Sequence, residues 1–191
     1  ALDMGEVMAH IRTVMPPDAI ITNGAGNFAA WPSKFIKYNK EMRLLAPQSG
    51  AMGYGLPAAL AAKACDPDRF VICFAGDGDF QMSCAELGTA MQAGLYPIVL
   101  IVNNASYGTI RMHQERNYPR RVSGTDLQNP DFVGLAKSYG FYGERVVSTD
   151  QFVAAFDRAL KSKTGAILDL VVSTEAITPR QSIADLRNAI T

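Results

Sequence analysis

The sequence lacks the long apolar segments and the excess of one charge that mark membrane and nucleic-acid-binding proteins. Its continuous apolar runs are shorter than ten residues, whereas a membrane-spanning helix needs about 20. Lys+Arg and Asp+Glu number 18 each among 191 residues, so the formal net charge is zero, and the longest basic cluster is only Pro119-Arg120-Arg121. We therefore expect no membrane and no nucleic acid among its partners.

Cysteine and leader signals are also scarce. The three cysteines, Cys65, Cys73 and Cys84, are odd in number and lack metal-ligand spacing. They predict reduced structural thiols rather than a disulfide framework or a metal cluster. No signal-peptide pattern is visible at the start of the sequence. Together these features predict a cytoplasmic protein.

What the chain does contain is a regular alternation of strand and helix patterns. Strands are predicted at 19–22, near 44–45, and at 70–75, 97–102, 142–147 and 167–172, and helices at 3–15, 29–36, 53–64, 83–93, 131–139 and 149–161. Asp3 is the predicted cap of the first helix and Thr149 of the last. This alternation predicts an α/β fold, a doubly wound, mainly parallel sheet with helices on both faces. The tail 173–191 looks less regular, and we expect one domain over 1–191.

Two polar motifs follow two of the apolar strands. GDGDF occupies residues 76–80 and NNASYG occupies 103–108. Parallel strands deliver such residues to the carboxyl edge of the sheet, where open α/β sheets bind ligands. Asp77 and Asn104 supply hard oxygen atoms, and the glycines of the first motif let the backbone approach a phosphate. These are the parts of a site for Mg²⁺ bridged to a diphosphate.

This pairing resembles the diphosphate-binding motif of thiamine diphosphate (ThDP) enzymes, in which Gly-Asp-Gly and Asn-Asn are separated by a spacer. The spacer here is residues 79–102, 24 residues long. Three more segments are similar to the group of acetolactate synthase, benzoylformate decarboxylase and pyruvate decarboxylase: GAGNFAAW at 24–31, GAMGYGLPAALAA at 50–62 and AITPR at 176–180. The resemblance covers nearly the whole chain and implies the carboxy-terminal, ThDP-binding domain of such an enzyme.

The resemblance implies a set of cofactor ligands. Mg²⁺ is expected to bind the side chains of Asp77 and Asn104 and the backbone carbonyl of Ser106. The expected contacts to ThDP come from Asn27, Phe28, Gly50, Met52, Gly76, Asp77, Gly78, Asp79, Asn104, Ser106, Tyr107, Gly108 and Thr109. Asp79 would repel phosphate, so its side chain is expected to turn away. Phe28 can offer only its N–H group.

The resemblance also implies positions near the reaction. Met52 is the expected wedge that forces the two cofactor rings into a V shape, and the Gly50 carbonyl is expected to accept a hydrogen bond from the aminopyrimidine. Ile110 and His113 are expected near a 2-oxo acid substrate. Pyruvate decarboxylase-type chains carry a glutamate about where Ile110 stands. Its absence favours carboligation over simple aldehyde release.

One part of the family's site is missing from this sequence. The glutamate that activates the cofactor belongs to a separate pyrimidine-binding domain of a partner subunit, and no segment here resembles that domain. We therefore expect a fragment of a longer enzyme or one subunit of a split one. Such a chain should form a homo-oligomer and should be inactive alone.

Four alternatives remain. A benzoylformate-type 2-oxo acid decarboxylase carries the same Asn-Asn-x-x-Tyr-Gly motif. The cofactor-binding subunit of a 2-oxo acid ferredoxin oxidoreductase would bring cluster-associated cysteine patterns, which are absent. A non-catalytic ThDP-binding module is disfavoured by intact metal ligands. A dinucleotide-binding domain is disfavoured because no G-x-G-x-x-G follows the first predicted strand.

Overall fold

A computed structural model describes residues 2–189 and shows a six-stranded sheet in which every strand pair is parallel. The strands are β1 (Ile20–Asn23), β2 (Arg43–Leu45), β3 (Val71–Gly76), β4 (Ile98–Asn103), β5 (Tyr142–Val146) and β6 (Ala166–Val171). Their order across the sheet is β2-β1-β3-β4-β6-β5. Parallel strands require crossover connections, and the helices supply them.

Helices cover both faces of this sheet. They are α1 (Met4–Val14), α2 (Ala30–Phe35), α3 (Gly55–Cys65), α4 (Asp77–Gln81), α5 (Leu87–Ala93), α6 (Gly108–Asn117), α7 (Phe132–Ser138), α8 (Thr149–Lys161) and α9 (Ile183–Asn188). One apolar cluster joins α1 and α8 to the sheet through residues such as Met8 and Phe156. The other joins α3, α5 and α7 through residues such as Leu60, Leu87 and Phe132. The predicted doubly wound α/β fold is therefore confirmed.

The central strands are apolar along their whole length because both of their faces are covered. All six residues of β3 are buried, and so are the first five of β4. This explains why continuous apolar runs, rather than alternating ones, marked these strands in the sequence. Among the described residues, no helix is long and apolar enough to cross a membrane.

Most predicted boundaries agree with the structure to within one or two residues. The Asp3 cap is confirmed, since its carboxylate accepts from Gly5 N at 2.6 Å. The Thr149 cap is wrong: Ser148 is the N-cap, and the Thr149 hydroxyl instead accepts from Asp3 N at 2.8 Å, which ties α8 to the start of α1. The tail is more regular than predicted, because α9 begins with a capping box formed by Ser182 and Asp185.

Candidate functional site

A cavity of about 570 Å³ lies where the carboxyl ends of β1, β3, β4 and β6 meet. The loops that follow these strands form its walls, as expected at the carboxyl edge of a doubly wound sheet. Fourteen of the fifteen site residues predicted from the sequence line it: Asn27, Phe28, Gly50, Met52, Gly76, Asp77, Gly78, Asp79, Asn104, Ser106, Tyr107, Gly108, Thr109 and Ile110. The fifteenth, His113, is exposed on α6 and lies outside the lining.

Asp77 brings a buried carboxylate to this cavity at the end of β3. One carboxylate oxygen accepts from Gly78 N at 3.1 Å, and the other accepts from Asn129 Nδ2 at 2.7 Å. Burial raises the pKa of Asp77 above its ordinary value, although these hydrogen bonds oppose the shift. Its hydrogen-bond donors, the Gly78 N–H and the Asn129 amide, are neutral, so a cation in the cavity would offset the cost of burying its charge.

The loop after β4 adds further oxygen atoms. Asn104 lines the cavity, and its side-chain oxygen accepts from Ser106 N at 3.1 Å. Ala105, between them, has a φ of 53°, in the left-handed region that residues other than glycine seldom adopt. Residues 125–127 brace this turn, because Tyr107 N donates to Thr125 O at 2.8 Å and Leu127 N to Ala105 O at 2.9 Å. The Ser106 carbonyl takes no part in this pairing.

The first turn of α6 supplies backbone donors. Gly108, Thr109 and Ile110 are its first three residues, and all three line the cavity. N–H groups in the first turn of a helix have no partner within the helix, and with the helix dipole they favour an anion. The Thr109 hydroxyl accepts from Asn27 N at 3.0 Å, which holds the loop after β1 against this turn.

The carboxylate of Asp79 contacts two neighbouring loops. Its Oδ1 accepts from Gly53 N at 2.8 Å and from Ala25 N at 3.2 Å. Burial raises its pKa to about 6. The carboxylate fills the space beside Gly24, where an added Cβ would lie 1.9 Å from Oδ1. Asp79 therefore connects the loop after β1 to the loop that carries Met52.

Met52 lies in a tight turn at the cavity wall. Gly50 and Gly53, on either side of the turn, have φ values of 68° and 80°. These values lie in the left-handed region, which glycine adopts without steric cost. Met52 is partly exposed and belongs to neither of the two apolar clusters that cover the sheet. The turn holds its side chain beside the cavity rather than in the interior.

The loop after β1 carries two of the residues predicted to contact the cofactor, Asn27 and Phe28. The Asn27 side chain donates to Met112 Sδ at 3.4 Å and is thus engaged with α6. The Phe28 ring packs over two site glycines: an added Cβ would lie 2.7 Å from it at Gly26 and 2.8 Å from it at Gly76. Phe28 therefore forms an apolar wall at this end of the cavity.

Two polar residues that sequence reasoning missed also support the site. Asn129, in the loop before α7, contacts Asp77 and Asn103. Asp169, within the buried strand β6, accepts from Asn103 Nδ2 at 2.8 Å and from Arg145 Nε at 2.8 Å. A carboxylate inside an otherwise apolar strand was the sequence signal for Asp169. Asn129 carried no such local signal.

The donor set fits Mg²⁺ bound to a diphosphate. Among residues 2–189, no group of three or more His, Cys, Asp or Glu side chains is placed to hold a metal ion. Asp77 instead stands with Asn104 and the loop of Ser106 around one cavity. One carboxylate with amide and carbonyl oxygens suits Mg²⁺, which commonly takes its remaining ligands from water and substrate phosphates.

Comparison with known proteins agrees with this geometry. The family model described as "Thiamine pyrophosphate enzyme, C-terminal TPP binding domain" matches residues 24–170; thiamine pyrophosphate (TPP) is ThDP. The acetolactate synthase large subunit of Parasynechococcus marenigrum is 36% identical over 169 residues, which are 87% of this chain and 27% of the relative. Isozyme 2 of that subunit from Escherichia coli is 34% identical over 149 residues, 77% of this chain and 27% of the relative.

A eukaryotic relative extends the comparison. The mitochondrial acetolactate synthase catalytic subunit of Saccharomyces cerevisiae is 34% identical over 154 residues, which are 80% of this chain and 22% of the relative. The chain thus spans about a quarter of the length of the curated relatives that it matches. It belongs to the thiamine pyrophosphate enzyme family and corresponds to the C-terminal TPP-binding domain of acetolactate synthase-like enzymes.

Proposed function

We propose that this chain binds ThDP together with Mg²⁺ and forms the cofactor-binding domain of an acetolactate synthase-like carboligase. The observation that carries the proposal is the meeting of Asp77, Asn104 and the Ser106 loop with the first turn of α6 around one cavity. Asp77, Asn104 and the Ser106 carbonyl would hold the metal. The N–H groups of Gly108, Thr109 and Ile110 would hold the diphosphate.

The chemistry of the proposed enzyme comes from the cofactor, which stabilises the carbanion formed when a 2-oxo acid loses carbon dioxide. This chain's residues orient the cofactor. Met52 would support its rings, and the Gly50 carbonyl would accept a hydrogen bond from the aminopyrimidine. Ile110 lines the cavity and is half-exposed, which would leave it available to contact substrate.

Carboligation is the preferred reaction because Ile110 offers no proton where a protonating carboxylate would favour aldehyde release. The relatives reported above, all acetolactate synthases, support the same choice. The alternatives are a benzoylformate-type decarboxylase and a non-catalytic ThDP-binding module. Product analysis of the complete enzyme with pyruvate separates them: acetolactate supports carboligation, acetaldehyde supports a decarboxylase, and no product at full cofactor occupancy supports a module.

We further propose that the site is completed by a pyrimidine-binding domain, supplied upstream or by another subunit, and that the chain forms a homo-oligomer. The side chains of Tyr54, Met82 and Met91 are between 38% and 56% exposed, which leaves apolar surface for such an assembly. The three cysteines are free, which fits the reducing cytoplasm.

The first experiment is calorimetric titration of ThDP into this chain, with Mg²⁺ and with a chelator in place of Mg²⁺. We expect binding that requires the metal. Equal affinity in the two conditions would contradict the metal assignment, and no binding in either would contradict the cofactor assignment for the isolated chain. Light scattering on the same sample measures self-association, and a monomer at micromolar concentration would contradict the homo-oligomer.

A further inference from the structure

The carboxylate proposed to bind the metal is held on its second oxygen by a residue outside both sequence motifs. Asn129 Nδ2 lies 2.7 Å from Asp77 Oδ2 and 2.9 Å from Asn103 Oδ1. Gln81 Nε2 donates to Asn129 Oδ1 at 3.0 Å. The Asn129 amide thus uses both of its donor hydrogens on two oxygen acceptors and accepts on its own oxygen.

The hydrogen-bond partners leave no freedom in the orientation of the Asn103 amide. Its Oδ1 faces two donors, Asn129 Nδ2 and Ala105 N, the latter at 3.1 Å. Its Nδ2 faces the carboxylate oxygen of Asp169 at 2.8 Å. A reversed amide would bring donors against donors and leave an amide oxygen against a carboxylate. Asn103 is therefore fixed as an acceptor towards Asn129.

The anchor of this arrangement lies deep in the sheet. The Asp169 side chain is fully buried in β6, beside β4, and pairs with Arg145 on β5. A buried carboxylate persists only when it is paired and hydrogen-bonded. The polar chain Asp77–Asn129–Asn103–Asp169–Arg145 therefore runs from the end of β3, past the end of β4, into the interior of β6 and β5.

We propose that Asn129, fixed through Asn103 by Asp169, is a positioning residue for the metal carboxylate of Asp77. This inference rests on the proposed function, since it concerns the same metal site. The bond to Oδ2 fixes the rotation of the carboxylate and leaves Oδ1, which accepts from the backbone N–H of Gly78, available to a cation in the cavity. Outer partners that orient a metal ligand in this way commonly affect metal affinity strongly.

The test is a Mg²⁺ titration of the full chain in the presence of ThDP. Leu matches Asn in shape but cannot donate, so Asn129→Leu should raise the Mg²⁺ concentration for half-saturation by about tenfold. Saturating Mg²⁺ should restore ThDP affinity to within about twofold of the wild type. Gln128→Leu, at the exposed neighbouring position, is the control and should leave both quantities unchanged.

This separation of metal affinity from cofactor affinity distinguishes positioning from a general structural role. A structural role would lower the melting temperature and reduce ThDP affinity even at saturating Mg²⁺, and that result would overturn the proposal. Asn129→Ala serves as a second variant if the Leu variant does not fold. Unchanged half-saturation in a folded variant would equally overturn the proposal.

A double-mutant cycle completes the test. If Asn129 acts through Asp77, the variant with both Asp77→Ala and Asn129→Leu should bind Mg²⁺ no more weakly than Asp77→Ala alone. Additive losses would show that Asn129 acts elsewhere. Failure of the wild-type chain to bind ThDP with Mg²⁺ would instead contradict the proposed function itself, so the two failures are distinguishable.

Discussion

Two buried carboxylates of this domain differ in how their charge is compensated. Asp77, at the end of β3, has neutral hydrogen-bond donors, and its pKa is raised chiefly by burial. Glu115, on α6, accepts from Arg187 Nε at 2.9 Å and pairs again through Nη2, and its pKa is lowered chiefly by that guanidinium. The first arrangement leaves negative charge for a cation to bind, whereas the second uses it to attach α9 to α6.

The surroundings of the two groups support this contrast. Asp77 opens onto the cavity. Glu115 is enclosed beside a small apolar cluster of Met112, Ile177, Ile183 and Leu186, which joins the C-terminal segment to α6. We therefore expect changes at Asp77 to affect binding and changes at Glu115 or Arg187 to affect stability.

The largest expected effect is on stability, from Arg187→Met. Removing the guanidinium leaves Glu115 buried without its ion-pair partner, and breaking a buried pair in this way typically costs about 3 kcal/mol of unfolding free energy. Urea unfolding followed by circular dichroism measures it. Arg116→Met, at an exposed position of α6, is the control, and an equal loss in both variants would contradict the assigned role of the pair.

A smaller effect, on binding, is expected from Asp77→Ala. Loss of the charge on the metal should weaken ThDP binding in Mg²⁺ by at least tenfold, which is about 1.4 kcal/mol. Asp77→Asn should weaken it similarly without lowering the unfolding free energy, because an uncompensated buried charge has been removed. Calorimetry and urea unfolding on the same samples test the pair of results. A large loss of stability in Asp77→Asn would remove the contrast with Glu115.

The stabilising contribution of the Glu115–Arg187 pair should depend on pH. The pKa of Glu115 is lowered from 4.5 in the folded state, so protonation favours the unfolded chain. The contribution is fully present above about pH 4.5 and is lost as pH falls through the lower, folded value. Unfolding curves of the wild type and Arg187→Met should therefore differ at pH 7 and converge in acid. A difference that does not shrink as the pH is lowered would show that the pair stabilises by packing instead.

The contrast also explains which features the sequence could predict. Asp77 and Asn104 are predictable because each directly follows an apolar strand, and a strand with a polar residue after it is a local pattern. The Glu115–Arg187 pair joins residues 72 positions apart, and Asn129 reaches Asp77 across 52. Such contacts depend on the tertiary fold, and no local sequence pattern predicts them. The α9 capping box, Ser182 with Asp185, was a local signal and could have predicted that helix.

The smallest expected effect on affinity is at Met52. This residue tests the distinction between binding the cofactor and setting the geometry of its rings. Met52 is partly exposed beside the cavity and belongs to neither main core, so Met52→Ala should cost little stability. It should also change ThDP affinity by less than about threefold, roughly 0.6 kcal/mol, because the diphosphate contacts remain.

Catalysis depends on ring geometry more steeply than binding does. In the assembled enzyme, hydrogen–deuterium exchange at the thiazolium carbon of bound ThDP should therefore slow well beyond threefold. Normal exchange combined with a collapse of affinity would make Met52 a binding residue only, and would place it with Asp77 rather than apart from it.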